Sequence, residues 1–237
     1  MNKPFIALDF PTWEMTETFL SRFDEPLNVK VGMELYLQNG PRIVESLLKK
    51  DHGIFLDLKL HDIPNTVFGA MKGLGQWDLD LINVHAAGGK EMMERAMEAI
   101  QFHGSKTKLI AVTQLTSTSE QQMQTEQLIP NPLTESVIHY ARLAQSAGLQ
   151  GVVCSPHEAG LIKEYCGEEF LRVTPGIRMN SDAADDQQRI TSPGNARGLG
   201  STHIVLGRSI TKAADPVAAY RMICQDWEGS IYEKTNC

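Results

Sequence analysis

Eight short apolar runs, rich in β-branched residues, recur along the chain and constrain its fold more than any other feature. The runs are FIALD (5–9), LNVKV (27–31), GIFLDLK (53–59), LINVHA (81–86), KLIAVT (108–113), GVVCS (151–155), LRVTP (171–175) and HIVLG (203–207). Stretches with helical spacing lie between them, such as 40–50, 89–100 and 133–148. Strands that alternate with helices form parallel βαβ units of about 30 residues. Eight such units predict an α/β fold of the closed (β/α)8 barrel (TIM barrel) type, and an open doubly wound sheet is the alternative.

The length of the chain favours one folded domain. A single α/β barrel has about 250 residues, and this chain has 237. No shift in composition marks a linker, so we expect one barrel domain over residues 1–237. The stretch from Arg178 to Gly200, between the last two runs, is long and polar. It is either a solvated loop or, because long loops in compact domains are often functional, an active-site lid at about residues 178–195.

Charge and cysteine content exclude several classes of protein. The chain has 22 Lys and Arg against 29 Asp and Glu, a net charge of −7, which argues against a general nucleic-acid-binding protein. Its 4 cysteines include no C-x-x-C pair, so we expect reduced thiols. No uncharged apolar run reaches the ~18 residues of a membrane span, and Asp9 and Pro11 interrupt any signal-peptide core. These features predict a soluble cytoplasmic protein.

Charged residues interrupt the apolar pattern of the third run, GIFLDLKL. Because strand side chains alternate between two faces, Phe55, Asp57 and Lys59 share one face and the aliphatic residues share the other. We expect the aliphatic face to pack on the helices, which directs Asp57 and Lys59 into the barrel. Asp62 follows just beyond the strand and completes a D-x-K-x-x-D cluster. Buried charges have to be paired, and a lysine between carboxylates stays protonated and is able to deliver a proton.

Polar residues also end the neighbouring runs. Asp9 ends the first run, Lys30 lies near the end of the second, and Asn83 and His85 share a face of the fourth. The carboxyl ends of the strands meet at one rim of a barrel, where barrel enzymes place their chemistry. A salt-bridge network that fixes strand register would use the same residues, but inward charges on three consecutive strands favour a functional site. We expect His85 to line the pocket without a chemical role.

Two glycine–arginine fragments indicate an anion site. TPGIR (174–178) follows the seventh run, and VLGRS (205–209) spans the end of the eighth. Glycine lets backbone N–H groups approach a phosphate, and arginine adds charge and a planar fork of donors. Barrels often bind phosphate in the loops after strands seven and eight. The two fragments together predict a phosphate ester as the ligand.

Seven segments together resemble the orotidine 5′-phosphate decarboxylase family in its bacterial form. They are IALD (6–9), VKVGMEL (29–35), FLDLKLHDIPNTV (55–67), NVHAAGG (83–89), VTQLTS (112–117), TPGIR (174–178) and VLGRSIT (205–211). They run in order along nearly the whole chain. The resemblance implies a homodimeric (β/α)8 barrel that converts orotidine 5′-phosphate to uridine 5′-phosphate (UMP) and CO₂. It also implies a carboxy-lyase of the last step of de novo pyrimidine biosynthesis, with no metal or organic cofactor.

The resemblance implies roles for the charged cluster. Lys59 matches the lysine that protonates C6 of the pyrimidine as CO₂ leaves, and Asp57 matches the carboxylate that faces the substrate carboxylate. Asp62 matches a second carboxylate, which crosses the dimer interface with Thr66 close behind it. Simple delocalisation into the ring carbonyls does not stabilise a C6 carbanion, so charge placement has to favour the transition state.

Further matches concern substrate binding. Asp9 and Lys30 match contacts to the ribose hydroxyls, and Thr116 matches a contact to the pyrimidine edge. Gln187 matches a lid residue that bridges base and phosphate, although the adjacent Gln188 leaves this assignment ambiguous by one position. The phosphate contacts are matched by three residues: Arg178, Gly207 and Arg208.

Two alternatives stay open at this point. A metal-dependent sugar-phosphate decarboxylase or hexulose phosphate synthase on a related barrel shares the D-x-K-x-x-D cluster and uses a divalent ion to hold an enediolate. QLTS and the lid with Gln187 fit a pyrimidine substrate better. The second alternative is a non-catalytic barrel that binds a nucleotide as a sensor, which would bind its ligand tightly without forming product.

Overall fold

Eight parallel strands form a closed barrel in the computed structural model, which describes residues 2–179 and 191–229. The strands are β1 (Phe5–Ala7), β2 (Asn28–Gly32), β3 (Gly53–Leu60), β4 (Leu81–His85), β5 (Lys108–Val112), β6 (Gly151–Val153), β7 (Leu171–Thr174) and β8 (His203–Leu206). Each strand pairs with its neighbours in sequence, and β8 pairs with β1 through Phe5–Val205 and Ile6–Leu206. This closure confirms the predicted (β/α)8 barrel and excludes the open doubly wound sheet.

Helices lie between the strands and pack around the barrel. They are α1 (Trp13–Leu20), α2 (Met33–Asn39), α3 (Arg42–Leu48), α4 (Pro64–Leu74), α5 (Gly89–Gln101), α6 (Glu120–Glu126), α7 (Leu133–Ser146), α8 (Pro156–Cys166), α9 (Pro193–Gly198), α10 (Arg208–Thr211) and α11 (Pro216–Glu228), with a 3₁₀ turn at Ala86–Gly88. Ser119 before α6 and Ser155 before α8 form capping boxes, which satisfy N–H groups that the first helical turn leaves without partners. Within the described residues, no helix combines the length and the apolar character needed to span a bilayer.

The side chains of the strands divide between two apolar cores, as the alternation along GIFLDLKL predicts. Ile54, Leu56 and Leu58 belong to the outer core between the barrel and its helices. Phe55 points into the barrel interior, where it packs with apolar residues of other strands: Phe5, Ala7, Leu81, Ile110, Val173 and Val205. Because these side chains fill the interior, a ligand has to bind above them, at the rim.

Candidate active site

A cavity of about 710 Å³ opens at the carboxyl ends of the strands. Interior side chains such as Ala7, Phe55 and Val205 form its floor. Residues that follow β1, β5, β7 and β8 contribute to its walls. Small-molecule sites commonly have volumes of about 300–1,000 Å³. The rim that the sequence predicts as a site is therefore a pocket of suitable size for a nucleotide.

Four charged residues form a continuous network on the cavity wall. Lys59 Nζ donates to Asp57 Oδ1 at 2.7 Å, and Lys30 Nζ lies 3.4 Å from Asp57 Oδ2. Lys30 Nζ also donates to Asp9 Oδ1 at 3.1 Å. The side chains of Asp57 and Lys30 are only 10% and 13% exposed, whereas Asp9 is exposed. Positive and negative groups thus alternate, and each buried charge has an opposite charge beside it, as the sequence predicts.

Lys59 lies where β3 departs from regular strand geometry. The pairing of β3 with β4 shifts in register between Leu56 and Leu60, and the φ angle of Lys59 is 52°. A non-glycine residue in this left-handed region costs about 1 kcal/mol or more, so surrounding contacts have to hold it there. The fully buried Asn83 supplies two contacts: its Oδ1 accepts the Lys59 backbone N–H at 2.8 Å, and its Nδ2 donates to Asp57 Oδ1 at 2.6 Å. The alternation along β4 predicts that Asn83 faces inward, but no sequence signal predicts these partners.

Electrostatic pairing keeps both Lys30 and Asp57 charged. Burial lowers the pKa of Lys30, but attraction to Asp57 and Asp9 and the hydrogen bonds to both outweigh burial, so this pKa is raised overall. Burial raises the pKa of Asp57, but the charges of Lys30 and Lys59 and hydrogen bonds from Lys59 and Asn83 lower it overall. The cavity wall therefore presents fixed charges at neutral pH.

The two glycine–arginine fragments line the same cavity. Arg178 and Arg208 are lining residues, together with Gly176 and Gly207. Gly176 has a φ angle of 80°, in the left-handed region that favours glycine, and this permits the turn that TPGIR makes at the end of β7. Three residues predicted to bind phosphate are thus brought to one cavity: Arg178, Gly207 and Arg208.

The segment after β5 forms a further part of the wall. Thr116, predicted to contact the pyrimidine edge, lines the cavity with its neighbours Leu115 and Ser117. Gln114 precedes them, is buried and also lines the cavity. A single glutamine after a strand carries no distinguishing pattern, so the sequence alone predicts no role for Gln114.

Two predicted residues lie apart from this cavity. Asp62 and Thr66 follow β3 and are exposed, and neither lines the cavity that the described residues enclose. Asp62 Oδ1 instead accepts the backbone N–H of Ile63 at 2.7 Å. The resemblance assigns both residues to the site of a neighbouring subunit.

The predicted lid at about residues 178–195 is described only at its ends. Gln187 and Gln188 lie outside the described residues. At the two ends, the backbone N–H of Arg178 donates to the carbonyl oxygen of Thr191 at 3.0 Å. This hydrogen bond fixes the base of the segment next to the cavity, because Arg178 is itself a lining residue.

The expectation that His85 lines the pocket is wrong for the cavity that the described residues enclose. Strand β4 ends at His85, where the chain enters the 3₁₀ turn, and the His85 ring stacks on His61 with 5.7 Å between ring centroids. Burial lowers the pKa of His85, and the nearby His61 and Lys59 lower it further. His85 therefore packs beside the cavity as a neutral ring.

A closed parallel barrel with a lysine–aspartate network in its rim cavity is typical of barrel enzymes that act on small molecules, and this chain belongs to that class. The family model described as "Orotidine 5'-phosphate decarboxylase / HUMPS family" matches residues 2–223. The chain belongs to this family.

Individual relatives agree with this assignment along nearly the whole chain. The orotidine 5'-phosphate decarboxylase of Listeria monocytogenes serotype 4a is 61% identical over 231 residues, covering 96% of this chain and 99% of the relative. The orotidine 5'-phosphate decarboxylase of Staphylococcus saprophyticus is 56% identical over 228 residues, covering 96% of this chain and 99% of the relative. A solved orotidine 5'-phosphate decarboxylase from Lactobacillus acidophilus superposes with a TM-score of 0.85 at 39% identity, covering 95% of this chain and 99% of that one. The solved structure of an uncharacterized conserved protein from Geobacillus kaustophilus superposes with a TM-score of 0.84 at 51% identity, covering 94% of this chain and 100% of that one.

Proposed function

We propose that this chain decarboxylates orotidine 5′-phosphate to UMP and CO₂ without a metal or organic cofactor. The observation that carries the proposal is the contact between Lys59 Nζ and Asp57 Oδ1, 2.7 Å long, in the rim cavity. It places a proton donor beside a carboxylate where a small ligand has room to bind. Membership of the family and the names of its relatives support this substrate. The reaction is the last step of de novo pyrimidine biosynthesis.

The reaction breaks the bond between C6 and the carboxylate carbon and leaves an electron pair on C6. Because the ring carbonyls do not delocalise this pair, stabilisation has to come from charges that the protein places beside C6. We assign this part to Lys59, whose ammonium group attracts the developing carbanion. Its proton forms the new C6–H bond, and Lys59 regains a proton from water before the next turnover.

Asp57 acts on the other reacting group in this proposal. Its carboxylate would lie near the substrate carboxylate, and their repulsion is relieved when neutral CO₂ forms. Two further groups contact Asp57 and help to keep it ionised. Lys30 Nζ lies 3.4 Å from its Oδ2, and Asn83 Nδ2 donates to its Oδ1 at 2.6 Å. We assign the larger contribution to Lys59, because its preorganised charge stabilises the transition state directly, whereas repulsion by Asp57 acts only on the bound substrate.

The rest of the cavity wall orients the nucleotide. We assign the ribose hydroxyls to Asp9 and Lys30 and the pyrimidine edge to Thr116, all of which line the cavity. The phosphate is assigned to three lining residues: Arg178, Gly207 and Arg208. Binding energy from the phosphate, far from the reacting carbon, then contributes to ordering the site around C6.

A homodimer completes the site. Asp62 and Thr66 are exposed just beyond the end of β3, where a second copy of the chain is able to receive them. Between them, Ile63 is 67% exposed, and an interface would remove this apolar side chain from water. These exposures support a site to which Asp62 and Thr66 of the neighbouring subunit contribute.

The proposal includes one barrel domain over residues 1–237 with a lid at about residues 178–195. Gln187 or Gln188 would bridge the base and the phosphate when the lid closes. The hydrogen bond between Arg178 and Thr191 supports this placement, because it joins the two described ends of the segment beside the cavity.

The proposed compartment is the cytoplasm. The described cysteines Cys154, Cys166 and Cys224 are free thiols. Disulfides are rare in the reducing cytosol, so free thiols fit this compartment. The proposed partners are the nucleotide substrate and a second subunit, and neither nucleic acid nor a membrane is among them.

The donor set at the cavity wall favours metal-free chemistry over the sugar-phosphate alternative. Both oxygens of Asp57 already face nitrogen groups, with Lys59 and Asn83 at Oδ1 and Lys30 at Oδ2. A divalent ion needs free oxygen lone pairs and would have to displace these groups. In residues 2–179 and 191–229, no group of three or more His, Cys, Asp or Glu side chains is arranged to hold a metal ion.

The experiment that tests the proposal follows the ultraviolet absorbance of orotidine 5′-phosphate mixed with the purified protein, with and without EDTA. We expect loss of the orotidine signal at the same rate in both samples. Turnover that EDTA abolishes and Mg²⁺ restores would contradict the metal-free mechanism. Tight binding of the nucleotide without any product would indicate a non-catalytic sensor instead.

A further inference from the structure

A hydrogen-bond cluster outside the charged network connects the cavity wall to two helices. Gln114 lies two residues beyond β5, is 7% exposed and lines the cavity. Its Nε2 donates to Gln127 Oε1 and to Ser136 Oγ, both at 3.1 Å. Gln127 caps the end of α6, and Ser136 lies near the start of α7 and is buried. Because both amide hydrogens have partners, the orientation of the Gln114 carboxamide is fixed.

The chain on either side of Gln114 shows what this cluster holds in place. Just before it, Thr113 is joined to β6, since its N–H and its Oγ1 donate to the Val153 carbonyl oxygen at 3.2 and 3.0 Å. Just after it, residues 115–117 all line the cavity. Gln114 therefore attaches the start of this three-residue wall to the end of α6 and to α7, through residues that do not line the cavity.

We propose that Gln114 is a positioning residue for the base end of the ligand, acting through the wall formed by residues 115–117. The inference rests on the proposed function, which assigns Thr116 in this wall to the pyrimidine edge. Neither Ser136 nor Gln127 lines the cavity, so each affects a ligand through Gln114. A defect in this cluster should weaken recognition of the base and leave recognition of the ribose phosphate intact.

The test compares two ligands that share a ribose and a phosphate, UMP and ribose 5-phosphate. Ser136→Ala removes the hydroxyl behind Gln114 without changing an atom that lines the cavity. We expect the Kd for UMP, measured by calorimetry, to rise about three- to tenfold, the effect of one buried hydrogen bond. The Kd for ribose 5-phosphate should stay unchanged. Ser146→Ala on the same helix, whose Oγ donates to the Leu143 carbonyl oxygen at 2.8 Å, is the matched control and should change neither Kd.

A double-variant cycle tests whether Ser136 acts through Gln114. Gln114→Ala should raise the Kd for UMP at least as much as Ser136→Ala does. Adding Ser136→Ala to Gln114→Ala should cause no further loss, because the hydroxyl then has no carboxamide to hold. In steady-state assays, Ser136→Ala should raise KM more than it lowers kcat, since the proton donor at C6 is untouched.

Three results would overturn the inference. The first is an unchanged Kd for UMP in Ser136→Ala. The second is an equal loss for UMP and ribose 5-phosphate together with a lower Tm, which would mark a general structural role. The third is equal affinity of the wild type for the two ligands, which would show that residues 115–117 make no contact with the base. Turnover of orotidine 5′-phosphate would then decide separately whether the proposed function holds.

Discussion

Nδ2 of Asn83 lies 2.6 Å from Oδ1 of Asp57, so a neutral carboxamide on β4 holds the carboxylate that two lysines share. The Oδ1 atom of the same Asn83 accepts the backbone N–H of Lys59 at 2.8 Å. One buried side chain thus fixes both members of the Asp57–Lys59 pair, including the left-handed backbone at Lys59. Charges stabilise a transition state most effectively when they are already in position, and Asn83 holds Asp57 and Lys59 in place.

Replacing Asn83 with alanine should lower kcat by about 10²-fold, the scale of losing one well-placed donor in an active site. In the pH profile of kcat/KM, the acid limb should also move to higher pH. Burial raises the pKa of Asp57 and the hydrogen bond from Asn83 is one of the contacts that lower it, so its loss raises that pKa. Asn131→Ala, at an exposed site, is the control. A folded Asn83→Ala enzyme with an unchanged profile would show that Asn83 has no part in the charged network.

Replacing Arg208 with alanine should weaken binding that depends on the phosphate. A hydrogen bond to a charged group contributes about 1.5–3 kcal/mol, so the Kd for UMP should rise by roughly 10- to 150-fold. The Kd for uridine, which has no phosphate, should be unchanged. Arg221→Ala on the exposed face of α11 is the matched control. An equal loss of affinity for UMP and for uridine would show that Arg208 does not contact the phosphate.

The position of Asp62 outside its own cavity predicts complementation between subunits. In the proposed homodimer, the Asp62→Ala and Lys59→Ala variants should each be nearly inactive, because each would lack one member of every composite site. After subunit exchange, a mixed dimer contains one site with both residues intact, so activity should return to about a quarter of the wild-type value for a one-to-one mixture at statistical exchange. If exchange is verified with tagged chains and no activity returns, each site belongs to a single chain.

His203, at the amino-terminal end of the barrel, makes stability depend on pH. Burial, with the charges of Lys108 and Arg172, lowers its pKa from 6.5 to about 4. As the pH falls below 6.5, the unfolded chain binds a proton that the folded protein resists, so the free energy of unfolding falls until the pH reaches about 4. Above pH 6.5 this contribution to stability is fully present. The full shift corresponds to about 3 kcal/mol.

Urea unfolding at pH 7 and pH 4.5 measures this contribution. Between the two pH values, the free energy of unfolding of His203→Asn should fall by about 2–3 kcal/mol less than that of the wild type. This difference should hold whatever the stability of the variant at pH 7. His157→Asn, at an exposed position, should lose as much as the wild type. An identical loss in His203→Asn and the wild type would mean that the pKa of His203 is the same in the folded and unfolded protein.

The sequence predicts the barrel and its charged rim because both follow from short-range rules. Alternation along β3 places Phe55 inside the barrel and Ile54 on the helix side, and it directs Asp57 and Lys59 to the same cavity. The strand–helix repeat predicts the order of the strands, and hence that β7 and β8 bring their arginines to one rim. These conclusions require only the period of a strand and the parallel order of the barrel.

Other features of the site depend on contacts between distant residues. The left-handed φ angle of Lys59 arises where β3 changes register against β4, and residue types alone do not specify that shift. The stacking of His85 on His61 likewise depends on where β4 ends. Gln114 acquires partners at the end of α6 and on α7, 13 and 22 residues further along the chain. Such pairings are set by tertiary packing, which a periodic pattern does not encode.

The measurement that tests the central claim most directly is the single-turnover rate of Lys59→Ala with bound orotidine 5′-phosphate. Removing the ammonium group takes away both the charge beside C6 and the proton for the new C–H bond, so the rate should fall at least about 10³-fold. The variant should remain folded and should still bind UMP, and Lys50→Ala, at an exposed salt bridge with Glu17, should keep the wild-type rate. Turnover by folded Lys59→Ala within about tenfold of the wild type would contradict the account, because another group would then stabilise and protonate C6.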